Sequence, residues 1–383
     1  MKICVFTTTR ADFGILKNLI IKIKNEKKFN LKLVAGGSHF SKKYGNSFKE
    51  IKENKINIDF KIKQKKYYDD IFSIIKVFNL TLSNSCKILK KIKPDLVLLL
   101  GDRYEILSVA VAANLSKIPI AHLYGGEITG ASIDDGFRHS ITKLSHVHFV
   151  ANQIYKKRVI QLGENKKNVY VVGGLAADNI SQVNILSKKE LENSLNIKFK
   201  KNNFIVNFHP ESIFKNKSLG QIKDLLKITK KFKDTNFFFT APGLDLESSN
   251  IINEIKKAAK INKNVYFFES LGQQKYFSLI RLSSGMIGNS SSGILEMPYF
   301  NKPTLNIGER QKGRLTSNTV INCQFKTNII TKKIRTILNK NYKIKKINKN
   351  LPYGKKGAVN KIIKILKRLE TKNLFFKNFK DLN

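Results

Sequence analysis

The sequence predicts an α/β protein with two successive domains, each built on a doubly wound parallel sheet. Apolar strand patterns alternate with helical patterns along most of the 383 residues, and this alternation is typical of parallel sheets. A chain of this length exceeds what one hydrophobic core usually supports, so two domains are expected. We place them at 1–175 and 176–355, followed by a C-terminal helix within 356–383 that returns to the first domain.

The first predicted domain begins with a strand at 2–8 and a helix in which Leu16, Leu19, Ile20 and Ile23 recur at helical spacing. Further strands are predicted at 31–37, 56–62, 95–100, 119–124 and 147–151. Helices are predicted near 41–53, 70–92 and 134–145, and another contains Leu107, Val111 and Leu115. The run DLVLLL at 95–100 is apolar after its first residue, as in strands buried on both faces of a parallel sheet.

The second predicted domain follows a polar stretch at 178–200 that carries few helical signals. Its strands are predicted at 203–209, 236–240, 265–269, 285–289 and 303–307, with helices between them. A last helical pattern at 358–370 has no strand after it, which is why we expect it to pack on the first domain.

The net charge of +43 raises nucleic acid or an anionic membrane as a partner. The lysines, however, are spread over nearly every segment together with many Asn and Ile residues, and no basic arm or RNA-binding aromatic motif concentrates them. Diffuse charge attracts phosphates without reading bases. We therefore expect no specific nucleic-acid partner.

Signals for export, membrane insertion and metal binding are weak. No apolar run reaches the roughly 18 residues of a membrane span, and the first residues lack a signal-peptide pattern, so a cytoplasmic protein is expected. Cys4, Cys86 and Cys323 lie far apart, without zinc or disulfide spacing. His146 and His148 alternate along one strand without a third ligand nearby, so we expect no metal and no other cofactor.

Loops that follow the predicted strands carry the candidate site, because ligands of such folds bind at the carboxyl ends of strands. Arg10 lies where the first strand ends and a helix begins, and a cation beside free backbone N–H groups suits a phosphate. The alternative is a surface arginine beside Asp12 acting as a helix cap.

The strongest phosphate signal is GNSSSGILEMP at 288–298. Hydroxyl and backbone N–H groups of Ser290, Ser291 and Ser292 suit a diphosphate, and Glu296 suits the hydroxyls of a ribose. A serine cap would account for one of these residues but hardly for all three. Arg310 and Arg314 follow in GERQKGR, where an ordinary surface cation is the alternative.

His209 ends the predicted strand 203–209 and precedes Pro210 and Glu211. A histidine at this edge of a sheet is placed to meet a phosphate or a leaving group.

Three acidic residues follow strands of the first domain. Asp102 comes directly after the strand 95–100, Glu127 follows HLYGG, and Asp134 opens a helix. Carboxylates that converge on one cleft raise one another's pKa, so an acid and a base can coexist near neutral pH. Taken singly, Asp102 would be a turn residue and Asp134 a cap. Their shared placement at strand ends favours catalysis.

These segments together resemble a known family. TRADFG, LGDRYE, HLYGGE with IDDGFRHSITKLSH, VANQIYKKRVIQLGE, FHPE, GNSSSGILE and IGERQKGR resemble, in order over residues 3–314, the hydrolysing UDP-N-acetylglucosamine 2-epimerases of bacterial sialic-acid synthesis. The ordered set is far more specific than any of its members. The resemblance implies two Rossmann-like domains of the glycosyltransferase-B architecture and a homo-oligomer, a dimer or tetramer.

The resemblance also implies residue roles. Asp102 and Asp134 match acid/base positions of the family, and the positions that hold UDP are matched by Arg10, His209, Ser290, Ser291, Glu296 and Arg314. His209 would also act catalytically by stabilising the departing UDP. Several relatives carry a catalytic glutamate directly before the GG pair, where this chain has Tyr124, and Glu127 after the pair is the substitute.

The reaction implied is the conversion of UDP-N-acetylglucosamine and water to N-acetylmannosamine and UDP, for nonulosonic acid synthesis. The alternative substrate is UDP-2,4-diacetamido-2,4,6-trideoxyglucose of the legionaminic acid pathway, because the residues named above meet only groups that both sugars share. A UDP-sugar glycosyltransferase on the same fold is a remoter alternative. A non-enzymatic polyanion-binding module would instead show retention with steep salt dependence.

Overall fold

The computed structural model describes residues 1–41, 47–64, 70–214, 217–243, 245–339, 342, 351–372 and 374–382. The chain divides into two compact units. Unit 1 contains Met1–Glu127, Ile133–Ser181 and Tyr353–Asn383, and unit 2 contains Ile128–Ser132 and Gln182–Pro352. In the described residues, no helix is long and apolar enough to cross a membrane.

Unit 1 is built on a parallel sheet with the strand order β3-β2-β1-β4-β5-β6-β7 over its described residues. The strands are β1 (Lys2–Thr7), β2 (Asn30–Ala35), β3 (Phe60–Lys61), β4 (Leu96–Leu100), β5 (Ile120–Leu123), β6 (Val147–Val150) and β7 (Val169–Val171). The helices are α1 (Arg10–Asn25), α2 (Phe48–Glu53), α3 (Ile71–Ile92), α4 (Tyr104–Leu115), α5 (Asp134–Leu144), α6 (Gln153–Gln161), α7 (Ala176–Ile180) and, at the C-terminus, α14 (Ala358–Leu366).

The strand order of unit 1 reverses between β1 and β4. β1 pairs in parallel with both β2 and β4, so the loops after these two strands leave the sheet side by side. Such a reversal is where doubly wound sheets bind ligands. All five residues of β4 are buried, as the apolar run predicted.

Helix α4 orients its apolar residues differently from what their spacing suggests. Its buried side consists mainly of Ile106, Val109 and alanines, whereas Leu107 and Val111 are only half-buried and Leu115 is 72 % exposed. The helix is apolar on all sides, so periodicity alone does not identify its inner face.

Helix α14 packs against α1 within unit 1. The carboxylate of Asp178 accepts hydrogen bonds from the backbone N–H groups of Gly357 and Ala358 at 3.0–3.1 Å. These are among the N–H groups that a helix leaves unsatisfied at its start, so Asp178 fixes where α14 begins.

Unit 2 is built on a second parallel sheet, with the order β10-β9-β8-β11-β12-β13 in its described part. The strands are β8 (Asn202–Asn207), β9 (Thr235–Thr240), β10 (Val265–Phe268), β11 (Gly285–Gly288), β12 (Thr304–Ile307) and β13 (Val320–Cys323). The helices are α8 (Lys188–Leu195), α9 (Ser218–Thr229), α10 (Ser248–Ile261), α11 (Gly272–Leu282), α12 (Ser292–Leu295) and α13 (Thr327–Leu338). β8 pairs with β9 and β11, so this sheet also reverses its winding direction.

Some expectations from the sequence need correction. The stretch 178–200 is not poor in helix, because it contains α8, which begins with a reciprocal capping box between Ser187 and Glu190. The predicted strand 56–62 is reduced to β3. Of the predicted helix 41–53, the structure shows α2, while 42–46 lie outside the described residues.

Candidate active site

The loop between β1 and α1 is organised by Asp12. Its carboxylate accepts hydrogen bonds from Thr7 Oγ1 at 2.5 Å, Thr8 N at 2.8 Å and Thr9 N at 3.0 Å. Thr9, rather than Asp12, is the N-cap of α1, and the two form a capping box. This arrangement holds Arg10 in the first turn of the helix, where backbone N–H groups favour an anion.

His39 contacts the same loop through the side chain of Thr7. Thr7 donates its one hydroxyl hydrogen to Asp12, so the 2.9 Å contact between Thr7 Oγ1 and His39 Nε2 requires a hydrogen on Nε2. Ser47 Oγ lies 2.8 Å from Nδ1 and donates to it. Burial lowers the pKa of His39 to about 4, against the opposing effect of Asp12, so this imidazole stays neutral near pH 7.

Arg138 on α5 joins the loops after β4 and β5 to the first turn of its own helix. This residue is 1 % exposed. Its guanidinium donates to the Asp102 carboxylate, to Asp135 Oδ1 at 3.0 Å and to the backbone oxygen of Glu127 at 3.0 Å. The side chains of Asp102 and Asp135 remain 25 % and 30 % exposed. A guanidinium that donates to a carboxylate favours its ionised form, which is the form that a base needs.

The peptide that precedes Asp102 is fixed by His122 on β5. Its Nε2 lies 2.8 Å from the carbonyl oxygen of Gly101, which can only accept, so Nε2 carries the hydrogen. Nδ1 lies 3.2 Å from Thr142 Oγ1 on α5. Burial lowers the pKa of His122 to about 3, so the interaction does not depend on pH near neutrality.

Arg103 pairs with the fully buried Glu105 through two hydrogen bonds of 3.0 and 3.3 Å. Burial raises the pKa of Glu105, although Arg103 opposes the shift. In GDRYE, the charges of Arg103 and Glu105 therefore compensate each other. Asp102 is the charged residue of this segment that binds Arg138.

Tyr124 lies buried in the HLYGGE loop. Its hydroxyl accepts a hydrogen bond from Leu175 N at 2.8 Å, and its backbone φ of +65° is unusual for a residue other than glycine. Tyr124 thus joins the loop after β5 to the segment before α7. Glu127, which the sequence offers as a substitute for the missing family glutamate, is fully buried, and its backbone oxygen accepts from Arg138.

Asp134 is the first residue of α5 and is half-buried. Its neighbour Asp135 is the carboxylate that binds Arg138, and Asp135 Oδ2 lies 3.6 Å from His139 Nε2. Burial lowers the pKa of His139. Of the predicted acidic residues, Asp102 and Glu127 are therefore joined directly through Arg138, and Asp134 is adjacent in sequence to the third group.

In unit 2, Asn289 organises the loops after β8 and β11. Its side chain accepts from His209 N at 2.7 Å and donates to His209 O at 2.8 Å. Its backbone oxygen accepts from Gln311 Nε2 at 2.8 Å and Arg310 Nη1 at 3.2 Å. Arg314 Nη1 donates to Gln311 Oε1 at 3.0 Å. Asn289 thus places His209 and, through Gln311, Arg314 around the start of the serine-rich turn.

Glu211, in the loop after β8, binds the backbone of the GERQKGR segment. It is 4 % exposed and accepts from Glu309 N at 2.6 Å and Arg310 N at 3.2 Å. Gly308 has φ +81°, and a Cβ there would lie 2.3 Å from Glu211 Oε1. This position therefore needs glycine.

The serine-rich turn leads into α12, which spans only Ser292–Leu295 before a 3₁₀ helix at Met297–Phe300. Pro298 has no N–H to continue the α-helix, which explains the early end. Ser290, Ser291, Ser292 and Glu296 are all half-buried. Ser292 Oγ donates to the Glu296 carboxylate and lies 2.6 Å from the hydroxyl of Tyr276.

Residues 21–367 match a family model described as UDP-N-acetylglucosamine 2-epimerase. The chain belongs to the UDP-N-acetylglucosamine 2-epimerase family. It is 41 % identical over 384 residues to the GDP/UDP-N,N'-diacetylbacillosamine 2-epimerase (hydrolyzing) of Campylobacter jejuni, which covers 100 % of this chain and 99 % of the relative. It is 35 % identical to polysialic acid biosynthesis protein P7 of Escherichia coli, over 100 % of this chain and 97 % of the relative.

Membership of the epimerase family agrees with the fold. The structure of the UDP-GlcNAc 2-epimerase of Neisseria meningitidis bound to UDP-GlcNAc superimposes with a TM-score of 0.81 at 19 % identity, covering 96 % of this chain and 100 % of the other. The predicted fold class, two Rossmann-like domains of the glycosyltransferase-B type, is confirmed.

Other polar residues of this epimerase were not singled out by the sequence. Arg138 and His122 form hydrogen bonds with residues that are distant in sequence. The one feature of the sequence that could have identified them was a charged or imidazole side chain in a segment predicted to be buried. His148, where the sequence predicts no metal, places Nε2 3.0 Å from Glu164 Oε2. Glu164 also pairs with Lys143 and Lys377. Among the described residues, no group of three or more His, Cys, Asp or Glu is arranged to hold a metal ion.

Proposed function

We propose that this epimerase hydrolyses a UDP-linked 2-acetamido sugar and inverts carbon 2. The observation that supports the proposal best is the grouping of Asp102, Asp135 and the Glu127 backbone around one buried arginine. Family membership gives the reaction class, and the names of two relatives, the 2-epimerases of Campylobacter jejuni and Legionella pneumophila that are called hydrolyzing, favour the hydrolysing form.

The proposed chemistry begins with loss of UDP. A carboxylate among Asp102, Glu127 and Asp134 takes the proton from carbon 2 while the bond between carbon 1 and the UDP oxygen breaks. The electron pair of the C–H bond forms the carbon 1 to carbon 2 double bond, and UDP leaves with the electrons of the broken bond. Water then adds to carbon 1, and a proton is delivered to carbon 2 from the opposite face, which gives the free sugar of inverted configuration.

The remaining predicted residues are assigned to UDP. Arg10, His209 and Arg314 would stabilise the charge of the leaving diphosphate, because fixed donors aimed at developing charge lower the barrier. Ser290, Ser291 and Ser292 would supply hydroxyl and N–H donors, and Glu296 would accept from the ribose. The scheme needs no metal or redox cofactor.

For the sugar itself, the relative at 41 % identity over the whole chain favours the diacetamido substrate. We therefore place UDP-2,4-diacetamido-2,4,6-trideoxyglucose ahead of UDP-N-acetylglucosamine, which the sequence patterns had favoured. The buried Tyr124 does not argue for either sugar, because its hydroxyl binds the Leu175 backbone.

One experiment tests both the reaction and the substrate. The purified protein is incubated in deuterated water with each of the two UDP-sugars and with the GDP form of the diacetamido sugar, and the released sugar is identified by NMR. We expect a free sugar of inverted configuration with deuterium at carbon 2, and a kcat/KM at least about tenfold higher, about 1.4 kcal/mol, for the diacetamido substrate. Product that retains only protium at carbon 2 would exclude the mechanism. An epimerised sugar that stays linked to UDP, with no free sugar, would indicate the non-hydrolysing reaction.

We also propose that the protein self-associates and acts in the cytoplasm. Self-association is supported by an apolar surface at the start of α3, where Ile71, Phe72 and Ile75 are 52 %, 72 % and 47 % exposed. Analytical ultracentrifugation of the purified protein tests it.

A further inference from the structure

Unit 2 contains a continuous chain of hydrogen bonds that ends at Glu296. Thr240 Oγ1 donates to Asn207 Oδ1 at 2.8 Å, and Asn207 Nδ2 donates to the hydroxyl of Tyr276 at 2.6 Å. The Tyr276 hydroxyl lies 2.6 Å from Ser292 Oγ, which in turn contacts the Glu296 carboxylate. The chain thus links β9, β8, α11 and α12 to one carboxylate.

Counting hydrogens gives the chain one direction. Ser292 has a single hydroxyl hydrogen, and a carboxylate can only accept, so Ser292 donates to Glu296. Ser292 must therefore accept at its 2.6 Å contact with Tyr276, which makes Tyr276 the donor. Tyr276 in turn accepts from Asn207, whose amide is held by Thr240. Each donor polarises the next, which strengthens the bond that reaches Glu296.

We propose that Tyr276 is a positioning residue for nucleotide binding, which acts through Ser292 on Glu296 and thereby on the ribose hydroxyls. This inference rests on the proposed function, in which Glu296 accepts from the ribose. It changes the role of Ser292: its hydroxyl hydrogen is committed to Glu296, so Ser292 orients the carboxylate, and the hydroxyl donors to the diphosphate are Ser290 and Ser291.

The position of Tyr276 explains why a hydroxyl is needed there. Asn207 is 5 % exposed and sits at the end of β8, so it is a fixed donor. Glu296 is half-buried and follows a helix of only four residues, which leaves its orientation to side-chain contacts. A phenylalanine at 276 would fill the same space but would break the connection between the two.

The test is a thermodynamic cycle with two ligands. Dissociation constants of UDP and of 2′,3′-dideoxyuridine diphosphate are measured by calorimetry for the wild type and for Tyr276→Phe. We expect Tyr276→Phe to weaken UDP binding by about 5- to 20-fold, since hydrogen bonds to charged groups are among the stronger ones. The same substitution should change the affinity for the dideoxy nucleotide by less than about twofold, because that ligand has no ribose hydroxyl for Glu296 to accept from.

Tyr266→Phe is the matched control, because Tyr266 lies on β10 of the same unit and its ring stacks on Phe238 at 5.1 Å. It should leave both affinities unchanged. Equal weakening of both ligands by Tyr276→Phe would make Tyr276 a general structural residue and overturn the inference, as would no weakening of UDP. If the wild type itself fails to bind UDP, the proposed function fails first, which separates the two failures.

Discussion

Asp102 lies beside a fixed guanidinium and keeps a quarter of its side chain exposed, so its charge can be removed with little change of shape. Asp102→Asn removes one carboxylate of the proposed acid/base group, and we expect turnover to fall by about 10² or more. The dissociation constant of UDP should change by less than about threefold, because the groups assigned to UDP are untouched. Steady-state kinetics and calorimetry measure the two quantities.

Asp224→Asn is the control for this substitution, because Asp224 pairs with Lys227 at 3.1 Å on the exposed surface of α9. Turnover and UDP binding should stay at wild-type values there. Near-normal turnover of Asp102→Asn would assign Asp102 to structure instead of catalysis.

The buried histidines of unit 1 predict a loss of stability at mildly acidic pH. Burial holds the pKa of His39 at about 4 and of His122 at about 3, against 6.5 for an exposed imidazole. As pH falls below 6.5, the unfolded chain takes up these protons before the folded protein does, so the free energy of unfolding decreases as pH falls from 6.5 toward 4 and 3. At pH 5.5 each histidine accounts for about 1.4 kcal/mol.

The contribution of His39 and His122 to the free energy of unfolding of the whole protein should therefore be about 3 kcal/mol smaller at pH 5.5 than at pH 7.5, and denaturant unfolding at the two pH values measures it by comparing variants. In His122→Gln, the Gln Nε2 can still donate to Gly101 O but does not titrate, so the pH effect should shrink by about 1.4 kcal/mol. An unchanged pH dependence in this variant would mean that His122 is not the group responsible.

At the scale of elements, the turn after β5 depends on Gly126. Its φ is +78°, and a Cβ there would lie 2.5 Å from the backbone oxygen of Tyr155 on α6. Gly126→Ala should lower the free energy of unfolding by about 2 kcal/mol or more, because it combines a left-handed backbone with a clash against main chain. Gly14→Ala is the comparison, since nothing lies within 4 Å of its Cβ position on α1. It should raise stability by about 0.5–1 kcal/mol, and a similar loss in both variants would contradict the argument.

Elements whose sequence carries a long apolar pattern could be predicted from the sequence. Elements that form mainly by pairing with a neighbouring strand could not. β4 and α3 appear where the sequence places them, because a buried strand and a long helix each carry a sustained pattern. β7 and β13 went unpredicted because each is a short edge strand with a single buried residue, so neither carries a sustained apolar run. The capping box of α8 was present in the sequence as Ser187 and Glu190, and it was a better guide than local polarity.

The same distinction applies to the candidate site. The loops that carry Asp102 and the serine-rich turn followed from the strand pattern, because carboxyl ends of parallel strands share one edge. The role of Arg138 did not follow, since its partner Asp102 is 36 residues away in sequence. The hydrogen-bond chain from Thr240 to Glu296 likewise combines residues from four elements, which no local pattern encodes.

At the scale of the whole molecule, the distribution of charge is informative. Lys and Arg make up 71 of the 383 residues, yet α4 contains neither, and α3 carries one lysine, Lys76, between Ile71 and Cys86. The start of α3 presents exposed apolar side chains, with Phe72 72 % and Ile75 47 % exposed. Chains of net charge +43 repel one another over most of their surface, so this charge-poor start of α3 is where we expect two copies to approach, because the core of an interface is typically depleted of charge.

The double variant Phe72→Lys with Ile75→Lys should therefore convert the assembly to single chains, because the two residues share one face of α3 and the substitution places four lysines in a symmetric contact. Ile261→Lys is the control, since Ile261 is 78 % exposed at the end of α10 in unit 2 and should leave the mass unchanged. Sedimentation velocity at several salt concentrations measures the result. Added salt screens the repulsion between basic chains, so it should strengthen self-association. Added salt would instead weaken binding to a polyanion. A wild type that sediments as single chains, or a double variant that keeps the wild-type mass, would show that this face does not join two copies.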